Sequence, residues 1–473
     1  MKKEEIVKAK IIGYGMNGEG VAKHKTQTLF IPFTMQEEII KAKITKTKGN
    51  VSYAQPIEIL TQNPSRQVPN CPHFMKCGGC NLSHIPYEQQ LKIKQSSINT
   101  TLSKQLGNGH EVKPVIASPK TSEYRNKIEL AVQGEKIGFL SPSSHTIIEI
   151  TSCSLCGNWL EKFLEIVRNA LKNNSNIKNI VIRTAKNSTC VTLVTNSNEK
   201  IKVEKWIEPL KNIFRGLSLF QNINTKKTSE VFGDRFIHLY GEKTQTFEFC
   251  GVKFTASPYS FLQINDEIAK QIYEKTLENI PENSNVVNAY SGAGFLTAML
   301  AKKAKNVIGI EINKDATNDA NKLMQENNIK NVKNICGDCG KLTSILHTFN
   351  TPKNIANTDY LEENNKKTQK NNVFIQKNNK NTEIINYYKN ETNFDKQGYI
   401  LVVDPPRAGL DKKFIAEVLN SKPEKIIYIS CNPATLARDL KVLSDKYKIS
   451  LIQPFDMFPH TKHIETLCIL KPH

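Results

Sequence analysis

The sequence predicts an α/β fold: a C-terminal Rossmann-like domain, an N-terminal β-barrel and a central α+β segment with a cysteine cluster. Three observations carry this. Residues 284–311 read as strand, glycine turn, helix and strand, ending in an acid. Two later apolar runs end at Asp404 and Cys431, as parallel strands do at a ligand-binding edge. The first 60 residues hold short apolar runs separated by glycines.

The chain has 473 residues, enough for several domains with their own cores. No apolar run nears the roughly 20 residues of a membrane helix. The start, MKKEEIVKAKIIGYG, lacks the apolar core of a signal peptide, so the expected compartment is the cytoplasm. Eleven cysteines in a Lys-rich chain argue for metal ligation and a reactive thiol over a disulfide framework. The formal net charge of +20 suits a polyanion such as nucleic acid.

In residues 1–60, Ile6–Ile12, Thr28–Ile31 and Glu38–Thr45 read as strands of a small barrel. Residues 61–250 form the expected central domain. It opens on NCPHFMKCGGCNLSH, where Cys71, Cys77 and Cys80 form C-x5-C-x2-C. Three thiolates so close suit zinc or an iron–sulfur cluster. A fourth ligand is available at Cys153 or Cys156. Tyr87–Leu106 has a helical period with a basic polar face. Tyr124-Arg125-Asn126-Lys127 combines an aromatic ring with cations, a composition suited to RNA or to a solvated strand.

Residues 251–473 form the expected C-terminal domain. Ser291, Gly292 and Gly294 make the turn, and Glu311 ends the next strand, placed to hold ribose hydroxyls. The G-x-G loop points to S-adenosylmethionine rather than a dinucleotide. Asp338 ends the third strand, either near an adenine or as a helix cap. Residues 345–397 are rich in Asn and Lys, and are expected to be a disordered surface insertion. Residues 351–396 contribute eight Lys and six acids, or +2, so the basic excess lies elsewhere.

SPYSFLQIN, DPPRAGL, SCNPATLARDL and DMFPHTKHIE follow one another in that order. This set resembles the RNA uracil-5-methyltransferase family. GYGMNGEGVAKH followed by FIPFT resembles the TRAM module, an OB-like RNA-binding barrel. The cysteine spacing resembles the iron–sulfur, 23S ribosomal RNA branch of that family.

The resemblance implies Cys431 as nucleophile and Glu465 as base. It implies Gln263, Tyr290, Glu311 and Asp404 around S-adenosylmethionine. It also implies a 4Fe-4S cluster on Cys71, Cys77, Cys80 and Cys153, with structured RNA as partner and no membrane. One departure is Asn288, where the family has an acid; weaker cofactor orientation is the expected consequence. His460 and His463 are expected to be structural or RNA-facing. The competing readings are a transfer RNA enzyme and a non-catalytic RNA-binding protein. A cytosine-5 enzyme is disfavoured because the chain has no Pro-Cys pair.

Overall fold

The computed structural model describes residues 1–141, 144, 146–171, 176–226, 230–340 and 398–473. The expected insertion at 345–397 lies outside the described residues. The chain divides into two compact units. One comprises Met1–Ile272 with Gln453–Glu465, the other Tyr273–Ile452 with Thr466–His473. Among the described residues no helix is long and apolar enough to cross a membrane.

The first unit begins with a closed barrel of β1 (Ile6–Tyr14), β2 (Gly20–His24), β3 (Gln27–Ile31), β4 (Ile39–Lys48) and β5 (Val51–Thr61). They are hydrogen-bonded in the order β1-β2-β3-β5-β4. Alternate residues of β1 and β4 point inward, so Val7, Ala9, Ile11, Ile40, Ala42 and Ile44 meet Leu29 and Ile31 in the barrel core. Closure pairs β3 with the first residues of β5, Val51–Tyr53, while the rest of β5 extends past that junction.

Helix α1 (Tyr87–Leu106) follows the cysteine-rich segment. Lys92 and Lys104 are exposed on its polar side, whereas its Gln90 and Lys94 are buried. The central sheet then comprises β6 (Lys127–Gln133), β7 (Lys136–Leu140), β8 (Ile147–Glu149), β9 (Ile177–Thr184), β10 (Thr189–Thr195), β11 (Leu217–Ile223) and β12 (Arg235–Tyr240). Their order is β12-β11-β10-β9-β6-β7-β8. Helices α2 (Trp159–Leu171) and α3 (Glu204–Lys211) pack Phe163, Leu164, Val167, Trp206 and Leu210 into its core. A hairpin of β13 (Gln245–Phe249) and β14 (Val252–Ala256) leads toward α4 (Asp266–Glu278).

The second unit is built on β15 (Asn285–Ala289), α5 (Phe295–Leu300), β16 (Asn306–Glu311), α6 (Lys314–Glu326), β17 (Val332–Cys336), β18 (Tyr399–Val403), α7 (Lys412–Ser421), β19 (Lys425–Ser430) and α8 (Pro433–Leu443). Strands β20 (Tyr447–Phe455) and β21 (Glu465–Pro472) complete a sheet of order β17-β16-β15-β18-β19-β21-β20. The first five strands are parallel, and β21 runs antiparallel to β19. Every residue of β15 and β18 is buried, as expected of strands covered on both faces. The chain moves outward from β15 to β17, then restarts on the other side of β15 at β18. That reversal creates the crevice where open α/β sheets bind ligands.

Candidate active site

Tyr290, Glu311, Asp404 and Cys431 each directly follow or end one of the four neighbouring strands β15, β16, β18 and β19. They therefore share the carboxyl edge of the sheet. At Glu311 the carboxylate is held from both sides: Oε2 accepts the Gly292 N–H at 2.9 Å and Oε1 accepts the Asn313 N–H at 2.7 Å. The acid is thus fixed over the glycine turn with lone pairs left to accept further hydrogen bonds. A Cβ at Gly292 would meet nothing within 4 Å, so the turn faces open space. Gly294 differs. Its φ is +81°, and a Cβ there would lie 2.6 Å from the Ala320 Cβ, so only glycine lets α5 approach α6.

Tyr290 has a φ of +61°, a conformation that costs energy for a bulky residue and is typical of binding turns. Burial, with the Cys339 and Asp338 groups nearby, pushes its hydroxyl pKa up. Asp338 Oδ1 accepts the Gly340 N–H at 2.9 Å, which closes the turn after β17. Asn288 is 1% exposed and donates from Nδ2 to Thr297 Oγ1 at 2.8 Å. It fastens β15 to α5 inside the protein, so the missing family acid is replaced by an internal tie.

Asp404 keeps some exposed surface, but its carboxyl lies deep enough for desolvation to push it up to about 7. Cys431 is partly buried between β19 and α8. Asn432 caps α8 by accepting the Ala434 N–H, and Pro433 occupies its first turn. Cys431 therefore directly precedes the N-cap of α8, at the carboxyl edge of the sheet.

In the other unit, Gln263 lies on the loop between β14 and α4. The buried Arg183 guanidinium holds that loop, donating to the carbonyls of Ser257 at 2.7 Å and Ser260 at 2.8 Å. Asn126 Nδ2 adds bonds to the Gln263 carbonyl at 2.9 Å and Asp266 Oδ1 at 2.7 Å. Tyr124 is buried and its hydroxyl donates to the Pro459 carbonyl at 3.1 Å. Much of the Tyr124–Lys127 tetrapeptide is thus a structural junction.

The loop leading to Glu465 is held just as firmly. Lys94 donates to Asp456 Oδ1 at 2.5 Å and to the Phe458 carbonyl at 3.0 Å. The His460 carbonyl accepts N–H groups from Asn81 and Leu82, both at 2.9 Å, and its Nδ1 lies 3.2 Å from Gln90 Nε2. These contacts make His460 structural. His463 packs edge-on to Phe458 at 5.8 Å between ring centroids. Glu465 itself is 4% exposed. Lys94, Asp456 and Gln90 escaped sequence reasoning because their partners lie hundreds of residues away.

Cys71, Cys77, Cys80 and Cys153 form no disulfide. Burial pushes the Cys80 thiol up to about 12, with the Cys153, Cys71 and Cys77 sulfurs adding to the rise. Cys77 is also raised by burial and by Cys153 and Cys71. A hydrogen bond from Cys156 pulls the Cys153 thiol down, and Arg125 assists. Cys156 belongs to the sheet's hydrophobic core, whereas Cys153 only packs against it. Among the described residues no three His, Cys, Asp or Glu side chains are grouped to hold a metal ion. The donor set is nonetheless chemically suited to one, since cysteine sulfurs, once deprotonated, are the soft ligands that zinc and iron–sulfur centres take.

A glycine turn, an acid at the end of the next strand and a switch-point crevice define a Rossmann-like methyltransferase fold. The family model for tRNA (uracil-5-)-methyltransferase matches residues 86–365 and 389–473, and the TRAM domain matches residues 3–57. The chain belongs to this family of S-adenosylmethionine-dependent RNA uracil methyltransferases. It is 32% identical to an uncharacterized RNA methyltransferase of Clostridium tetani, over 99% of this chain and 97% of that one. It is also 32% identical to one from Halalkalibacterium halodurans, over 100% of this chain and 98% of that one. The structure of a Pyrococcus abyssi tRNA (uracil-54, C5)-methyltransferase with S-adenosyl-L-homocysteine has the same fold. Its TM-score is 0.71 at 24% identity, covering 98% of this chain and 100% of that one.

Proposed function

We propose that the chain methylates uridine at C5 in 23S ribosomal RNA, in the cytoplasm, through a covalent bond between Cys431 and C6 of the base. Uracil C5 is a weak nucleophile. The Cys431 thiolate adds to C6, which moves electron density to an enolate oxygen and C5. S-adenosylmethionine supplies the electrophilic methyl group that C5 takes. Glu465 then removes the C5 proton, the C5–C6 double bond re-forms, and the thiolate leaves. Gln263, Tyr290, Glu311 and Asp404 hold the cofactor in this reading. The target uridine has to be unstacked for its C5–C6 edge to be reached.

The observation that carries this reading is the ladder between β19 and β21. Ser430 stands opposite Thr466; Cys431 follows the first and Glu465 precedes the second. Nucleophile and base thus leave two neighbouring strands at the same rung. The ribosomal assignment rests on the four cysteines, whose pattern resembles the ribosomal branch. Cys71, Cys77, Cys80 and Cys153 would hold a 4Fe-4S cluster, with zinc as the alternative. Methyl transfer needs no electron, so the centre would brace the segment that bonds to His460, or dock RNA.

The test is methyl-labelled S-adenosylmethionine with purified protein and either 23S ribosomal RNA or transfer RNA, followed by nucleoside analysis. Label in 5-methyluridine of ribosomal RNA is expected. Label only in transfer RNA moves the substrate. RNA binding without label in either supports the non-catalytic alternative.

A further inference from the structure

We propose that Asp439 is a positioning residue that sets the Asp404 loop against the Cys431 helix. The carboxylate is completely buried on α8. Its Oδ2 accepts the Leu410 N–H at 2.8 Å and the Tyr428 hydroxyl at 2.8 Å. Its Oδ1 accepts from Arg438 Nε at 2.8 Å. Leu410 closes the loop that leaves Asp404. Tyr428 stands on β19 three residues before Cys431. One carboxylate therefore joins the two strand ends that carry the Asp404 and Cys431 groups.

The rest of the interface is built around that join. Asn432 Nδ2 and Thr435 Oγ1 donate to the Arg407 carbonyl at 3.0 and 3.2 Å. Arg438 Nη2 donates to the Ala408 carbonyl at 2.9 Å and the Leu410 carbonyl at 3.2 Å. Gly409 has a φ of +78°, and a Cβ there would lie 2.6 Å from both Arg438 Nη2 and Asp439 Oδ2. The loop passes so close to α8 that only glycine fits. The polar residues of NPATLARD thus point back to the preceding loop, leaving Cys431 as the group for substrate.

Asp439 touches neither substrate nor cofactor in this account, so its effect is on geometry. A misplacement near 1 Å costs about 100-fold in rate. The inference rests on the proposed uracil chemistry for its kinetic arm, and on Cys431 alone for its chemical arm.

The experiment compares wild type, Asp439→Asn and Tyr428→Phe. Asparagine keeps the shape but turns donor hydrogens toward the Leu410 N–H or the Tyr428 hydroxyl. Circular dichroism establishes folding; kcat and the KM for S-adenosylmethionine are measured on RNA, and Cys431 alkylation by iodoacetamide is followed peptide by peptide. For Asp439→Asn, kcat is expected to fall about 100-fold with KM within about twofold, and the alkylation rate to change. For Tyr428→Phe, which removes one donor, the expected fall is about tenfold. If Asp439→Asn does not fold, Tyr428→Phe decides alone. Folded variants with wild-type kcat and wild-type alkylation overturn the proposal. If wild type methylates no uridine, the uracil reading fails, and the alkylation rates still decide the role of Asp439.

Discussion

Lys94 and Asp456 form an ion pair at 2.5 Å in which the two side chains are 2% and 0% exposed. The pair joins α1 to the loop that ends at Glu465. Removing one partner strands a charge in the interior. Lys94→Met is expected to lower stability by about 3–5 kcal/mol. Adding Asp456→Leu should recover much of that loss, because a buried pair replaced by apolar groups is often close to neutral. Denaturant unfolding of both variants checks this. A single variant as stable as wild type contradicts the role assigned to the pair.

The proposed cofactor role of Glu311 yields a second prediction. Its carboxylate is already aligned by the Gly292 and Asn313 N–H groups. Hydrogen bonds to charged groups are worth about 1.5–3 kcal/mol. Glu311→Ala is therefore expected to weaken S-adenosylmethionine binding about 10- to 100-fold in calorimetry. Asn288→Asp, which restores the family acid, should not tighten binding, since that position bonds inward to Thr297.

Asp404 makes stability depend on pH. Burial raises its folded pKa from 3.8 to about 7. Between those values the unfolded chain loses the proton while the folded chain keeps it. The folded state binds more protons, so this group lowers stability as pH rises through the window. Asp404→Asn removes the penalty. Without cofactor, the variant's stability relative to wild type should climb by up to about 1.4 kcal/mol per pH unit from about pH 4 to 7, then level off. Burial holds His84 down at about 4, and its opposite contribution cancels in the difference. A difference that stays flat across the window rejects the raised carboxyl.

Local patterns made the sheet and its loaded edge legible in the sequence. The glycine turn, Glu311, Asp404 and Cys431 lie within or beside strongly apolar strands, so short windows reveal them. The barrel was legible only in part. β5 was missed because the apolar residues of its second half, Ile57, Ile59 and Leu60, face solvent and mark no buried face. Long-range polar partners were not legible at all. Lys94 looks like surface until Asp456 is placed beside it, and Asn288 looks like a defect until Thr297 is. Asp439 did leave a trace: it lies among Leu436, Leu440 and Leu443, on the face of α8 that the helical period assigns to the core.

The cysteine set predicts a metal-dependent property. Protein purified without oxygen should carry iron and a broad visible absorption, as thiolate-bound iron–sulfur clusters do. Cys80→Ser should lose both while the methyltransferase unit keeps S-adenosylmethionine binding. Stoichiometric zinc without iron would replace the cluster assignment with a structural zinc site.

In the proposed reaction Cys431 and Glu465 act at different steps, so their variants should fail differently. Cys431→Ala forms no bond to C6 and should abolish methyl transfer while retaining cofactor binding. Glu465→Gln keeps the nucleophile but cannot take the C5 proton. Its turnover should fall about 10²- to 10⁴-fold, the usual worth of a general base. Before that step the thiol is already bonded to C6 and the methyl already transferred. The stalled species is therefore protein joined to methylated RNA, visible as a slow band on a denaturing gel. Cys431→Ala combined with Glu465→Gln should show no band, since the bond needs the thiol. A Glu465→Gln variant that turns over slowly without accumulating adduct would assign proton removal to another group.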